Sequence, residues 1–187
     1  MKYGLLKVNC GPMFAGKSES LVRDILFQTY FDADKNNVCV FKPSFDTRFA
    51  REEIVTHNGK SVQAIPIKNP DPSVIGEFEH VFFDEVQFFT RPQFDGDFLG
   101  WVREIRRGGG NVYCSGLDMD AQGNSFEITA ALMAESTEVN RLTARCRCGA
   151  PATRTVRLSG SGPRLELGDA DKYEPACLTH WAEAQDT

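Results

Sequence analysis

Short apolar runs at 4–10, 38–41, 80–83 and 111–115 stand out against polar, turn-rich surroundings. They are β-branched or aromatic and bounded by turn residues, which predicts buried strands. Leu21, Val22, Ile25 and Leu26 follow helical spacing and predict a helix near 17–31. Phe94, Phe98, Trp101, Val102 and Ile105 predict a second over about 94–107, closed by Gly108-Gly109-Gly110. Ile54–His57 and Ser61–Ile65 flank Asn58-Gly59, a hairpin signal. Strands alternating with helices imply an α/β fold, a largely parallel sheet flanked by helices. Past about residue 140 the helical patterning fades into Gly, Pro, Arg, Cys and His. Short strands are expected at 154–158 and 164–167, joined by the flexible Ser159–Pro163, with a helical tail near 178–184. The chain therefore divides into an α/β core over 1–140 and a small Cys/His-bearing lobe over 141–187.

Where the first strand should meet the first helix lies Gly11-Pro12-Met13-Phe14-Ala15-Gly16-Lys17-Ser18, which fits G-x-x-x-x-G-K-[ST]. Strand, glycine loop and helix together form a phosphate cradle. The glycines let backbone N–H groups crowd an anion, and the helix N-terminus adds partial positive charge. Lys17 would reach the β- and γ-phosphates of a nucleoside triphosphate, and the Ser18 hydroxyl would take a Mg²⁺ position.

A second motif belongs with it. His80-Val81-Phe82-Phe83 is a buried strand that delivers Asp84 and Glu85 at its carboxyl end. Asp84 suits Mg²⁺ or its water. Glu85, one residue on, can take the proton from a group attacking the γ-phosphorus. If the attacker is water the protein is an ATPase; if it is a substrate hydroxyl, a kinase.

Six cysteines divide into two sets. Cys10, Cys39 and Cys114 sit in strand-like segments and read as small hydrophobes. Cys146, Cys148, Cys177 and His180 form two pairs in a polar, Gly- and Pro-bearing stretch. Four such ligands suit a structural Cys₃His zinc site. The first pair has one residue between its cysteines where two to four are usual, so free thiols stand as the alternative. The net charge of −5, without a Lys/Arg block, argues against a sequence-independent grip on nucleic acid. No run reaches membrane-spanning length and the N-terminus lacks a signal-peptide pattern, so a cytoplasmic location is expected.

Taken together, these motifs resemble the thymidine kinases of the small, zinc-containing type, related by fold to RecA-like P-loop proteins. The resemblance is carried by residues 11–18, Phe45-Asp46-Thr47-Arg48, Thr56-His57-Asn58-Gly59, Phe83–Phe89, Gly116-Leu117-Asp118, Asp171-Lys172-Tyr173, Cys177 and His180. It implies ATP-dependent phosphorylation of the 5′-hydroxyl of thymidine, and of deoxyuridine, with Glu85 as the base. It also implies Arg48 and Gln87 near the nucleotide, and Met13, Phe88, Leu117 and Tyr173 around the base or sugar. Thr153 would sit where a lasso-like loop, tethered by the zinc lobe, meets the base. A homotetramer is a further implication. Ala121 stands where the family carries an aromatic residue, and Phe126 is placed to refill the gap. That departure leaves open a preference for a 5-modified pyrimidine nucleoside; a P-loop ATPase with structural zinc is the alternative from another class.

Overall fold

A computed structural model of the chain describes residues 3–31, 37–46, 52–56, 59–158, 164 and 171–186. The strands are β1 (Leu6–Gly11), β2 (Val38–Pro43), β3 (Glu53–Val55), β4 (Ser61–Gln63), β5 (Ile65–Ile67), β6 (His80–Phe83), β7 (Asn111–Leu117), β8 (Glu138–Arg141), β9 (Ala144–Arg145), β10 (Pro151–Ala152), β11 (Arg154–Arg157) and β12 (Tyr173–Ala176). The α-helices are α1 (Lys17–Phe31), α2 (Phe98–Arg107), α3 (Glu127–Glu135) and α4 (Leu178–Gln185).

Among the described residues, six strands form the central sheet in the order β5-β2-β6-β7-β1-β8, every neighbouring pair parallel. Parallel strands need crossover connections, and these bring helices over both faces, which is why the strands read as near-continuous apolar runs. Alternation sorts their side chains. Val81, Phe83, Val112 and Cys114 point into one core layer with Phe98, Trp101 and Ile105 of α2 and Leu132 of α3. Phe82 and Tyr113 point into the other, against Leu21, Val22 and Ile25 of α1. Phe89 stacks on Phe98 at 4.5 Å, and Phe83 meets Phe98 edge-on at 5.0 Å.

The second helix starts at Phe98, four residues later than its apolar spacing suggests. Asp97 caps it, accepting from Gly100 N at 2.9 Å. Gly96 just before the cap has φ 141°, a conformation closed to most residues, so the helix cannot run further back. Phe94 still packs in the core, from outside the helix. The hairpin is observed as β3 paired antiparallel with β4, whereas Ile65 joins the main sheet as part of β5. β8 closes the sheet beside β1 although its residues are mostly polar.

Beyond β8, β9 pairs with β10, and β11 pairs with β12, both antiparallel. The partner of β11 is thus Tyr173–Ala176. The strand expected over 164–167 lies outside the described residues except for Arg164, as do Ser159–Pro163. No helix among the described residues is long and apolar enough to cross a membrane.

Candidate active site

The sheet order puts β6, β7 and β1 side by side, so their carboxyl ends open on one crevice. Ligands of open α/β sheets bind at such ends. β1 runs into the glycine loop, β7 into Gly116-Leu117-Asp118, and β6 into Asp84-Glu85.

Gly11 has φ 144°, and a Cβ there would lie 2.4 Å from the Leu142 carbonyl oxygen, so only glycine fits. Gly16 and Phe14 also have positive φ, 76° and 63°. The Lys17 ammonium is buried and donates to the Pro12 carbonyl at 2.7 Å, curling along the loop. Burial pulls its pKa below the ordinary lysine range, opposed first by the Glu85 charge and then by those of Asp84 and Asp118. Those three carboxylates therefore lie around the Lys17 ammonium.

Ser18 Oγ donates to Asp84 Oδ2 at 3.1 Å, so the two residues expected around Mg²⁺ converge on one point. Burial first, and the Glu85 charge second, push the Asp84 carboxyl up to about 7. A buried carboxylate beside a second acidic group calls for a neighbouring cation, and Lys17 is one such charge. A cleft of about 660 Å³ opens alongside, with Phe14, Ala15, Gly16 and Glu19 on one wall and residues 143–145 and 149–151 on the other.

Glu85 turns the chain out of β6 with φ 54° and ψ 45°, a left-handed conformation that costs a non-glycine residue about 1–2 kcal/mol. Strain of this kind gathers at functional sites. The buried Gln87 side chain spans the gap that follows, its Nε2 donating to Glu85 Oε2 and its Oε1 accepting from Leu117 N at 2.9 Å. Gly116 permits that approach, since a Cβ there would meet Val86 Cγ2 at 2.6 Å and Gln87 Oε1 at 2.8 Å. Gln87, expected near the nucleotide, is bonded to the carboxylate of Glu85.

Gln87 also lines a second cavity. Met13, Phe88, Leu117 and Tyr173 line it, together with Met119, Asp120, Ala121, Phe126, Thr155 and Arg164. Phe126 and Ala121 both line this cavity. Thr153 is not among the lining residues; its N–H is spent on the Ala176 carbonyl at 3.2 Å. Thr155, two residues on, takes that place and accepts from Met13 N at 3.1 Å, tying the lobe to the glycine loop. Arg157 donates to Tyr173 Oη at 2.6 Å and lies over its ring.

Arg164 is the lining residue with the least sequence signal. Its guanidinium binds Asp120 at 2.8 Å, Glu127 at 3.0 Å and the Ser125 carbonyl, and it covers the Phe126 ring. The cavity holds about 30 Å³ of free space. Small-molecule pockets usually offer about 300 Å³ or more, so this lining would have to spread to admit one. Arg48 and His57 lie outside the described residues.

The family comparison agrees with this geometry. The thymidine kinase family model matches residues 4–181. The chain belongs to the thymidine kinase family. It is a kinase, a phosphotransferase.

The four expected metal ligands meet in the lobe of this kinase, all donor atoms within 4.8 Å of one another. Cys148 Sγ and Cys177 Sγ are 3.9 Å apart, and His180 Nδ1 is 3.1 Å from Cys146 Sγ and 3.6 Å from Cys177 Sγ. Zinc bond lengths in a tetrahedron give edges of about 3.8 Å between sulfurs and about 3.6 Å from sulfur to nitrogen. The cluster is thus consistent with structural zinc, and the close Cys146/Cys148 pair takes part in it. Backbone N–H groups of Cys148 and Cys177 directed at the Cys146 sulfur pull that thiol down to about 6, favouring the thiolate a metal needs. Cys10, Cys39 and Cys114 are buried in the core, and burial pushes the Cys10 and Cys39 thiols up to about 11 and the Cys114 thiol higher still.

Proposed function

We propose that this kinase transfers the γ-phosphoryl group of ATP to the 5′-hydroxyl of thymidine, with deoxyuridine accepted as well. One observation carries the reading: Gln87 connects Glu85 to the nucleoside-side cavity while the charge of Glu85 is felt at Lys17. A base in that position has the triphosphate on one side and the acceptor on the other. The 5′-oxygen attacks the γ-phosphorus, its proton passes to Glu85, and the bond to the β-phosphate oxygen breaks to release ADP. A carboxylate in hydrogen-bond reach is the group such a hydroxyl needs. Alignment and charge neutralisation by Lys17 supply most of the acceleration. Mg²⁺, when held by Ser18 and Asp84, offsets charge on the β- and γ-phosphates.

Ala121 supports a second acceptor class. Its small side chain at the cavity wall, which Phe126 also lines, suits a deoxyuridine with a larger 5-substituent.

The test is Mg²⁺-dependent ADP release with thymidine, deoxyuridine, 5-substituted deoxyuridines, deoxycytidine or no nucleoside. Release that requires a pyrimidine deoxynucleoside is expected, and Glu85→Gln should cut it by roughly 10²–10⁴-fold with ATP binding retained. Equal release without nucleoside would mean an ATPase and end the proposal.

A further inference from the structure

The wall of the nucleoside-side cavity is a tight turn. Met119 bridges Ser125, Asp120 N donates to Asn124 O at 2.9 Å, and Asp120 Oδ1 accepts from Gln122 N at 3.0 Å and Asn124 N at 2.8 Å. Met119, Asp120, Ala121 and Phe126 face the cavity from it.

The turn is also gripped from the metal lobe. Trp181 Nε1 donates to the Ala121 carbonyl at 2.9 Å, and Gln185 Nε2 reaches the same oxygen at 3.2 Å. The indole lies so close over Gly123 that a Cβ there would be 2.9 Å from Cζ2. Arg154 of β11, next to the cavity-lining Thr155, stacks its guanidinium 5.7 Å from the same ring. Trp181 directly follows the metal-site residue His180 in the first turns of α4. A site that holds Cys177 and His180 therefore fixes the indole, and the indole fixes the carbonyl of a cavity-wall residue.

We propose that Trp181 is a positioning residue for the nucleoside, through which the metal lobe sets the placement of the Ala121 turn. This rests on the kinase reading above. The mechanism is a single relay: metal cluster, α4, indole N–H, Ala121 carbonyl, cavity wall. It acts on acceptor binding and leaves the phosphate loop and Glu85 alone, so it separates KM from kcat.

The experiment compares wild type, Trp181→Phe and Gln185→Ala in steady-state assays varying thymidine and ATP, with bound zinc measured in each. Phenylalanine keeps an aromatic ring over Gly123 and removes the N–H donor. The thymidine KM should rise about fivefold in Trp181→Phe, the factor for a hydrogen bond of about 1 kcal/mol. Its kcat, ATP KM and zinc content should stay within a factor of about two. Gln185→Ala, at the exposed end of α4, should raise the thymidine KM about twofold, and it decides the matter should Trp181→Phe lose zinc. An unchanged thymidine KM with zinc retained, or a fall in kcat without a change in KM, overturns the inference alone. Absence of nucleoside-dependent turnover in the wild type overturns the kinase reading and this inference with it.

Discussion

Replacing Gln87 with leucine tests whether the proposed base, Glu85, is aimed by its neighbour. The side chain is 1% exposed and makes two bonds that leucine cannot, one to the Glu85 carboxylate and one from Leu117 N. Losing a hydrogen bond to a charged group costs about 1.5–3 kcal/mol, and stranding a partly buried N–H costs about 1 kcal/mol. Leucine recovers about 1 kcal/mol through its extra apolar burial. The net loss is about 2 kcal/mol, which for a chain of this size lowers Tm by about 4–8 °C. The functional effect should be larger than the stability effect. Glu85 already sits in a strained left-handed conformation, and leucine removes the hydrogen bond by which Gln87 orients its carboxylate, which on the proposed reaction loosens its alignment with the acceptor. We expect kcat to fall about 10–100-fold while the KM for ATP holds. Thermal unfolding and steady-state kinetics on Gln87→Leu give both numbers. A Tm within about 1 °C of wild type together with kcat within about twofold would refute the clamp.

Three further outcomes follow from the same geometry. Asp84 has a folded-state pKa of about 7, raised above its ordinary value, so it stabilises the metal-free protein at low pH and that contribution is lost as pH rises from about 4 through about 7. Asp84→Asn in chelator should then flatten the fall in Tm over that window and raise Tm at pH 8, although activity is lost; equal pH slopes for the two proteins would sink the argument. Gly116→Ala should be poorly tolerated, since the added methyl overlaps Val86 and Gln87, and overpacking costs about 1–3 kcal/mol; an unaltered denaturation midpoint would count against the close approach. Cys148→Ser should lower zinc affinity at least about tenfold and reduce Tm, by metal analysis and calorimetry, whereas full zinc retention would remove Cys148 from the ligand set.

The phosphate chemistry was written in local sequence. The glycine loop and the strand ending in Asp84-Glu85 each depend on a few adjacent residues and lie where their spacing implied, whereas the second helix starts four residues later than its apolar spacing suggests. The metal ligands were legible too, because cysteine and histidine in paired spacing have few other uses. Other features belonged to the tertiary structure. Thr155 rather than Thr153 lines the cavity because Thr155 lies within β11, paired with β12, whereas Thr153 precedes the strand with its N–H bonded to the Ala176 carbonyl. Polar β8 becomes a sheet strand only because β1 offers it a free edge. Gln87 is bonded across to β7 because Leu117, thirty residues away in the chain, passes beside it. Arg164 and Trp181 join the Ala121 turn across 44 and 60 positions respectively. Periodicity and motif spacing register only neighbours along the chain, so contacts between distant segments emerge once packing has brought their elements together.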